Sequence, residues 1–247
     1  MKVIILGSGT CVPSLTRNAP GYYLETDDTR ILVDCGTGTM LQLAKAGKSY
    51  LDIDAVFLTH GHPDHCADLM PLVQALLYTP GFKRDRPLEI IAHDIFLHYY
   101  RSSLAPMLGK SAVIVRTISA ASAINYRDLT VYTANTPHSS ESIAYRFENN
   151  DTSVVFTGDT DFDDTLADFS RNSELLITDC SFPDSEKIEG HMCASECGRL
   201  AAGANAVRLV LSHIYPSKID DQERVAQSQK HFKGRIILAE DLMELQT

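Results

Sequence analysis

"THGHPDHC", residues 59–66, sets three histidines and an aspartate within six positions, interrupted by Gly61 and Pro63. The apolar run "DAVFLT" at 54–59 delivers the chain to it as a buried strand, and a helical pattern follows. Pro63 suits the first helical position, where its missing N–H leaves no hydrogen bond unmade. His60 and His62 therefore fall in the loop, and Asp64 and His65 in the first helical turn. Successive helical side chains point about 100° apart, so Asp64 and His65 share one ion only near the helix end. Two neighbouring metals are the natural reading, His60 and His62 toward one, Asp64 and His65 toward the other. The plain alternative is a solvated turn in which Asp64 caps the helix, and that reading requires no ligand types elsewhere.

Three ligand types do appear elsewhere, each where a strand ends. "LTVYTANTPHSSES" places His138 just after a strand, "SVVFTGDTD" ends another on Asp159, and "RLVLSHIYP" ends a third on His213. A lone histidine at such a place is more often a packed or surface residue. Three together with the dense cluster reverse that weighting. Imidazole with carboxylate suits zinc first, with manganese or iron as alternatives.

Around these points the chain alternates strands and helices. Strands are predicted at 3–6, 22–25, 30–34, 54–59, 88–92, 112–118, 129–134, 142–147, 153–158, 174–179, 208–213 and 235–240. Helices are predicted at 38–46, 64–78, 94–108, 161–170, 194–204 and 220–232. Early hairpins with helices interleaved in both halves imply an α/β fold, an αββα sandwich of two mixed sheets with helices on the outer faces. No linker or low-complexity tract divides the chain, so residues 1–247 are read as one domain.

The formal net charge is −10, from 32 acidic and 22 basic residues, so the overall field does not attract nucleic acid or an anionic membrane. Six scattered cysteines without a CxxC pair read as reduced. The start "MKVIILGSGT" is too short in apolar residues for a secretory signal, and no run approaches ~20 apolar residues, so a cytoplasmic protein is the expectation. Gly7-Ser-Gly9 after the first strand lacks the third glycine and the helix of a dinucleotide-binding turn, and reads as a tight turn.

Strand, then His-x-His-x-Asp-His, then His, Asp and His at successive strand ends, is similar to the metallo-β-lactamase superfamily of binuclear metal hydrolases. The match spans residues 1 to about 215, and "GSGTCVPSLTRN", "DCGTG", "TPHS", "GDT" and "HMCASECGRLA" look most like the ribonuclease Z branch and its phosphodiesterase relatives. The resemblance implies two divalent ions: one on His60, His62 and His138, the other on Asp64, His65 and His213, with Asp159 bridging. It also implies that His191, in "GHMCASE", faces the scissile group and acts as a catalytic residue together with Asp64. Asp179, at the end of "LLITD", is the candidate partner that orients His191.

His93, His98 and His231 lack companions and read as surface or packing residues. In "DTDFDD" the acids beyond Asp159 are read as favouring a helix start through its dipole. Lys83, Arg84 and Arg86 in "GFKRDRP" read as a solvated turn.

The ribonuclease Z branch carries its tRNA-gripping arm between the His138 and Asp159 equivalents. Here residues 139–158 hold only two strands and a turn, so with the acidic charge a tRNA 3′-end endonuclease is disfavoured. The expected activity is hydrolysis of a phosphodiester in a small molecule or at an exposed nucleic-acid end. A carboxylic ester, lactone or thioester hydrolase on the same site, and a non-catalytic metal-binding protein, are the other readings. Dimers are common among relatives, which makes a homodimer an expectation from resemblance.

Overall fold

The β-branched and aromatic runs fold as strands whose alternate residues face opposite layers. In β1 (Lys2–Gly7), Val3 and Ile5 enter the core between the sheets while Ile4 and Leu6 face the helices. The computed structural model describes residues 1–104, 113–150 and 152–247.

The first sheet also contains β2 (Gly21–Glu25), β3 (Arg30–Cys35), β4 (Ala55–Phe57), β5 (Leu88–Ala92) and β6 (Val113–Thr117). The second contains β7 (Ala123–Tyr126), β8 (Leu129–Asn135), β9 (Ile143–Asn149), β10 (Thr152–Phe156), β11 (Leu175–Asp179), β12 (Arg208–Ser212) and β13 (Arg235–Leu238). A last strand, β14 (Glu244–Gln246), returns to the first sheet and pairs antiparallel with β1. The sheet orders are β14-β1-β2-β3-β4-β5-β6 and β13-β12-β11-β10-β9-β8-β7, seven strands each. Both sheets are mixed: β3 to β6 run parallel in one and β10 to β13 in the other, with antiparallel strands completing each.

Three apolar layers hold the sandwich. Between the sheets, Phe57 meets Tyr126, Tyr145 and Phe147 edge-on, with centroids 5.5, 5.4 and 5.1 Å away, the arrangement that aromatic quadrupoles favour. Over the first sheet lie α1 (Thr39–Lys45), α3 (Leu69–Tyr78) and α4 (Asp94–Tyr99), burying Leu43, Leu72, Val73, Leu76 and Leu97. Over the second lie α5 (Asp164–Phe169), α6 (Ala194–Gly203) and α7 (Asp221–Gln229), burying Leu166, Cys197, Leu200 and Ala201. The αββα sandwich expected from the sequence is the architecture found.

Several boundaries differ from expectation. The predicted helix 64–78 is two pieces, α2 (Pro63–Cys66) and α3. Asp68 breaks it: its N–H donates to the Cys35 carbonyl and its carboxylate accepts from the N–H groups of Gly38 and Met40. Pro71 then sits in the first turn of α3, where it costs no hydrogen bond. The helix predicted over 94–108 is α4 followed by a wider turn at Tyr100–Leu104, and the remainder of that stretch, like residue 112 of the predicted strand 112–118, lies outside the described residues. α5 starts at Asp164, not 161, because Asp163 caps it by accepting from the Thr165 N–H. β7 and β14, short strands of four and three residues at sheet edges, are not among the predicted strands. Among the described residues no helix is long and apolar enough to cross a membrane.

The parallel strands of both sheets point their C-terminal ends at one edge, where open α/β sheets place ligands. β3 ends beside Asp34, β4 leads to His60, β10 leads to Asp159, β11 ends on Asp179 and β12 leads to His213.

Candidate metal centre

Asp159 stands at the middle of the cluster, buried, with one carboxylate oxygen toward each side. Its Oδ2 lies 3.7 Å from the Nε2 of both His60 and His138. Its Oδ1 lies 3.1 Å from His65 Nε2 and 3.2 Å from His213 Nε2. His62 joins the first group, its Nδ1 3.2 Å from His138 Nε2, and Asp64 joins the second, its Oδ2 3.9 and 3.8 Å from the Nε2 atoms of His65 and His213. His60, His62, His138 and Asp159 hold donor atoms within 4.8 Å of one another, as do Asp64, His65 and His213, and as do Asp159, Asp179, His191 and His213. All seven residues singled out as ligands in the sequence are therefore brought together, in two sets that share Asp159.

The imidazoles are held from behind. His65 Nδ1 is 2.8 Å from Asp34 Oδ2, His138 Nδ1 2.9 Å from the Gly190 carbonyl, His213 Nδ1 2.9 Å from Ser181 Oγ and His60 Nδ1 3.1 Å from Thr59 Oγ1. Anchoring Nδ1 in this way turns Nε2 inward. The Nε2 atoms of His60, His65 and His213 and Oδ1 of Asp159 are buried with no hydrogen-bond partner. A buried polar atom left unpaired costs about 1–3 kcal/mol, a cost that cations among these atoms would relieve. This donor set, imidazole and carboxylate, fits divalent ions.

The electrostatics agree. Burial holds the pKa of His60 well below its usual range, keeping it a neutral donor. Burial also opposes charge on His65, but the carboxylates of Asp159 and Asp34 outweigh it and hold that pKa well above normal. For Asp159 burial favours the acid, yet His213 and His65 hold its pKa well below the carboxylate range.

Local backbone aims these groups. Asp34 and His213 both adopt left-handed conformations, with φ of 57° each, a strained choice for side-chain-bearing residues that concentrates at functional sites. Gly36 lies against the turn that carries Asp64; a Cβ there would sit 1.8 Å from the Asp64 carbonyl oxygen, so only glycine lets that turn close.

His191 borders the cluster, half-buried, with Nδ1 2.8 Å from Asp179 Oδ2 and its ring 4.8 Å from that of His138. The geometry thus pairs Asp179 with His191. Burial works against the imidazolium, but the Asp179 hydrogen bond and charge outweigh it and raise the His191 pKa. The loop carrying His191 is tied by Lys187, which reaches Asp161, Glu196 and the His191 carbonyl. Asp161 therefore does not serve a helix start as expected: it pairs with Lys187 and accepts from the Gly190 N–H.

The other candidates lie apart. His93 caps α4 and pairs with Asp94, and His98 and His231 are exposed. Arg84 is not a solvated turn residue; its guanidinium donates to the carbonyls of Leu51, Ile53 and Arg86. It lines a cleft of about 620 Å³ at the other ends of β3 to β5, which contains none of the clustered residues. Sequence reasoning assigned no role to Asp34 or Ser181. Asp34 carries the same signal as Asp159, an acid ending an apolar run, and could have been found by it.

Residues 29–214 match the model of the beta-lactamase superfamily domain. The chain belongs to this superfamily. Among its superfamily relatives, the probable metallo-hydrolase YhfI of Bacillus subtilis is 29% identical, with 97% of each chain covered. The crystal structure of YhfI superposes with a TM-score of 0.88 at 26% identity, covering 99% of this chain and 98% of that one. Ribonuclease Z of Thermoplasma acidophilum is 28% identical, over 99% of this chain and 95% of its own length. That alignment spans 296 positions, more than the 247 residues here, so the archaeal protein has segments without a counterpart; the alignment with YhfI closes within 246.

Proposed function

We propose that this chain is a binuclear metal-dependent phosphodiesterase acting as one catalytic unit. The observation that carries the reading is Asp159 presenting one oxygen to each of two ligand sets, with His191 at their edge. His60, His62 and His138 would hold one divalent ion, Asp64, His65 and His213 the other, and Asp159 both. Zinc suits the donors first, with manganese or iron as alternatives. Such a pair, when bound, brings water toward neutral acidity and stabilises the attacking and departing oxygens of a phosphoryl centre.

The chain's own residues do the rest. Asp179 accepts from His191 Nδ1, which leaves Nε2 as the atom that gives a proton to the departing alkoxide. Cations nearby would push the His191 pKa down, so the Asp179 carboxylate is what keeps the ring able to carry that proton. Asp34, behind His65, fixes that ring in the same manner.

The substrate is proposed to be a small or exposed-end phosphodiester. Among the described residues between His138 and Asp159 the only strands or helices are β9 and β10, a span of 20 residues that leaves no room for an arm to grip a folded tRNA, and the net charge of −10 gives no general attraction for RNA. The names of the relatives, a ribonuclease Z and a metallo-hydrolase, support hydrolysis. The test is a panel of bis-p-nitrophenyl phosphate, cyclic nucleotides, single-stranded RNA and pre-tRNA with added Zn²⁺ or Mn²⁺. Turnover of small diesters above pre-tRNA is expected. Inactivity on every diester beside turnover of a lactone or thioester would overturn the reading.

A further inference from the structure

Ser181 follows β11 and is fully buried at the meeting point of three site residues. Its Oγ is 2.6 Å from Asp179 Oδ1, 2.9 Å from His213 Nδ1 and 3.2 Å from His191 Nδ1. A count of hydrogens resolves who donates. A carboxylate only accepts and a hydroxyl has one hydrogen, and the short contact to Asp179 takes it. Ser181 Oγ then has only lone pairs for His213, so His213 Nδ1 must carry the hydrogen. In the neutral ring the lone pair of His213 then sits on Nε2, the atom 3.2 Å from Asp159 Oδ1. His191 Nδ1 faces only the acceptors Asp179 Oδ2 and Ser181 Oγ, and it too must carry a hydrogen.

The segment is held from outside the site. Arg224 of α7, also fully buried, donates to the carbonyls of Ser181 and Tyr215, at 3.3 and 3.0 Å. These carbonyls belong to the two strand-end segments that carry Ser181 and His213. The guanidinium clamps them to each other, with Asp221 as its carboxylate partner.

We propose that Ser181 is a positioning residue that sets the His213 tautomer and places His213 and His191 under the control of one carboxylate, Asp179. This rests on the roles given above to His213 and His191. The hydroxyl makes the ligand set on the Asp64 side ready for a cation before one arrives, and Asp179 serves both a ligand and the proton donor.

The test compares Ser181→Ala with Ser181→Thr, which keeps the hydroxyl. In Ser181→Ala the backbone N–H of residue 181, 3.0 Å from Asp179 Oδ1, still holds the carboxylate, so the fold should survive. Two measurements need no substrate. Zn²⁺ titration against a chromophoric chelator should show the affinity of one of two sites falling roughly 10- to 100-fold in Ser181→Ala, the usual effect of removing the group behind a ligand histidine, with the other site retained and Ser181→Thr close to wild type. Long-range ¹⁵N–¹H spectra of metal-free, histidine-labelled protein, taken at a pH where His213 is neutral, should show it as the Nδ1–H tautomer in wild type and Ser181→Thr, and as a mixture in Ser181→Ala. Unchanged affinity and tautomer in Ser181→Ala would overturn the proposal, as would equal losses in both variants, which would mark a packing role. A wild-type protein that shows the tautomer and binds Zn²⁺ but cleaves no diester would overturn the phosphodiesterase reading and leave this one standing.

Discussion

Asp159→Ala should lose hydrolysis and metal together. One oxygen of this carboxylate faces His60 and His138, and the other faces His65 and His213, so no second residue can take its place between the two sets. Groups that merely support a ligand are worth 10- to 100-fold in affinity or activity. Removal of a ligand shared by both ions should exceed that, with kcat/KM down by more than about 100-fold and metal content of purified protein reduced in parallel. Loss of activity with full metal content would show that Asp159 acts in another way, and full activity without it would remove the binuclear reading.

His191→Ala should separate these two quantities. His191 lies beside donor atoms of Asp159, Asp179 and His213, but its Nδ1 is engaged by Asp179 and the proposed ions rest on the other seven residues, so metal content should stay near wild type. A positioned general acid contributes about 10²- to 10⁴-fold, and its loss should fall on diesters that release an alkoxide. p-Nitrophenyl esters, whose leaving group departs as a stable anion, should be affected far less. Asp179→Asn reaches the same ring through Nδ1 and should shift the substrates in the same order. Equal rates for His191→Ala and wild type on alkyl diesters would remove His191 from the proton-donor role.

The sequence made the ligand types legible because each follows a short apolar run, and a strand that ends on a histidine or aspartate can be recognised without knowing what it packs against. The "THGHPDHC" turn was readable for the same reason, since Pro63 marks where loop gives way to helix. What lies behind the ligands was not. Ser181 meets His213 only because β11 and β12 pair in parallel with Asp179 opposite Ser212, a register that local pattern does not reveal. Asp241, near the C-terminus, ties the Ser8 and Asn18 loop together by accepting from both backbone N–H groups and their side chains, across more than two hundred positions. The left-handed conformations of Asp34 and His213 carry no signal in residue type, because such strain persists only where surrounding structure enforces it. Pro71 is a different case: it marked the break between α2 and α3, and the apolar periodicity on either side masked it.

The most direct test of the account is anomalous diffraction from crystals grown with Zn²⁺. The expected result is two peaks on opposite sides of Asp159, one among His60, His62 and His138 and the other among Asp64, His65 and His213. A single peak, or two peaks that do not both contact Asp159, would contradict it.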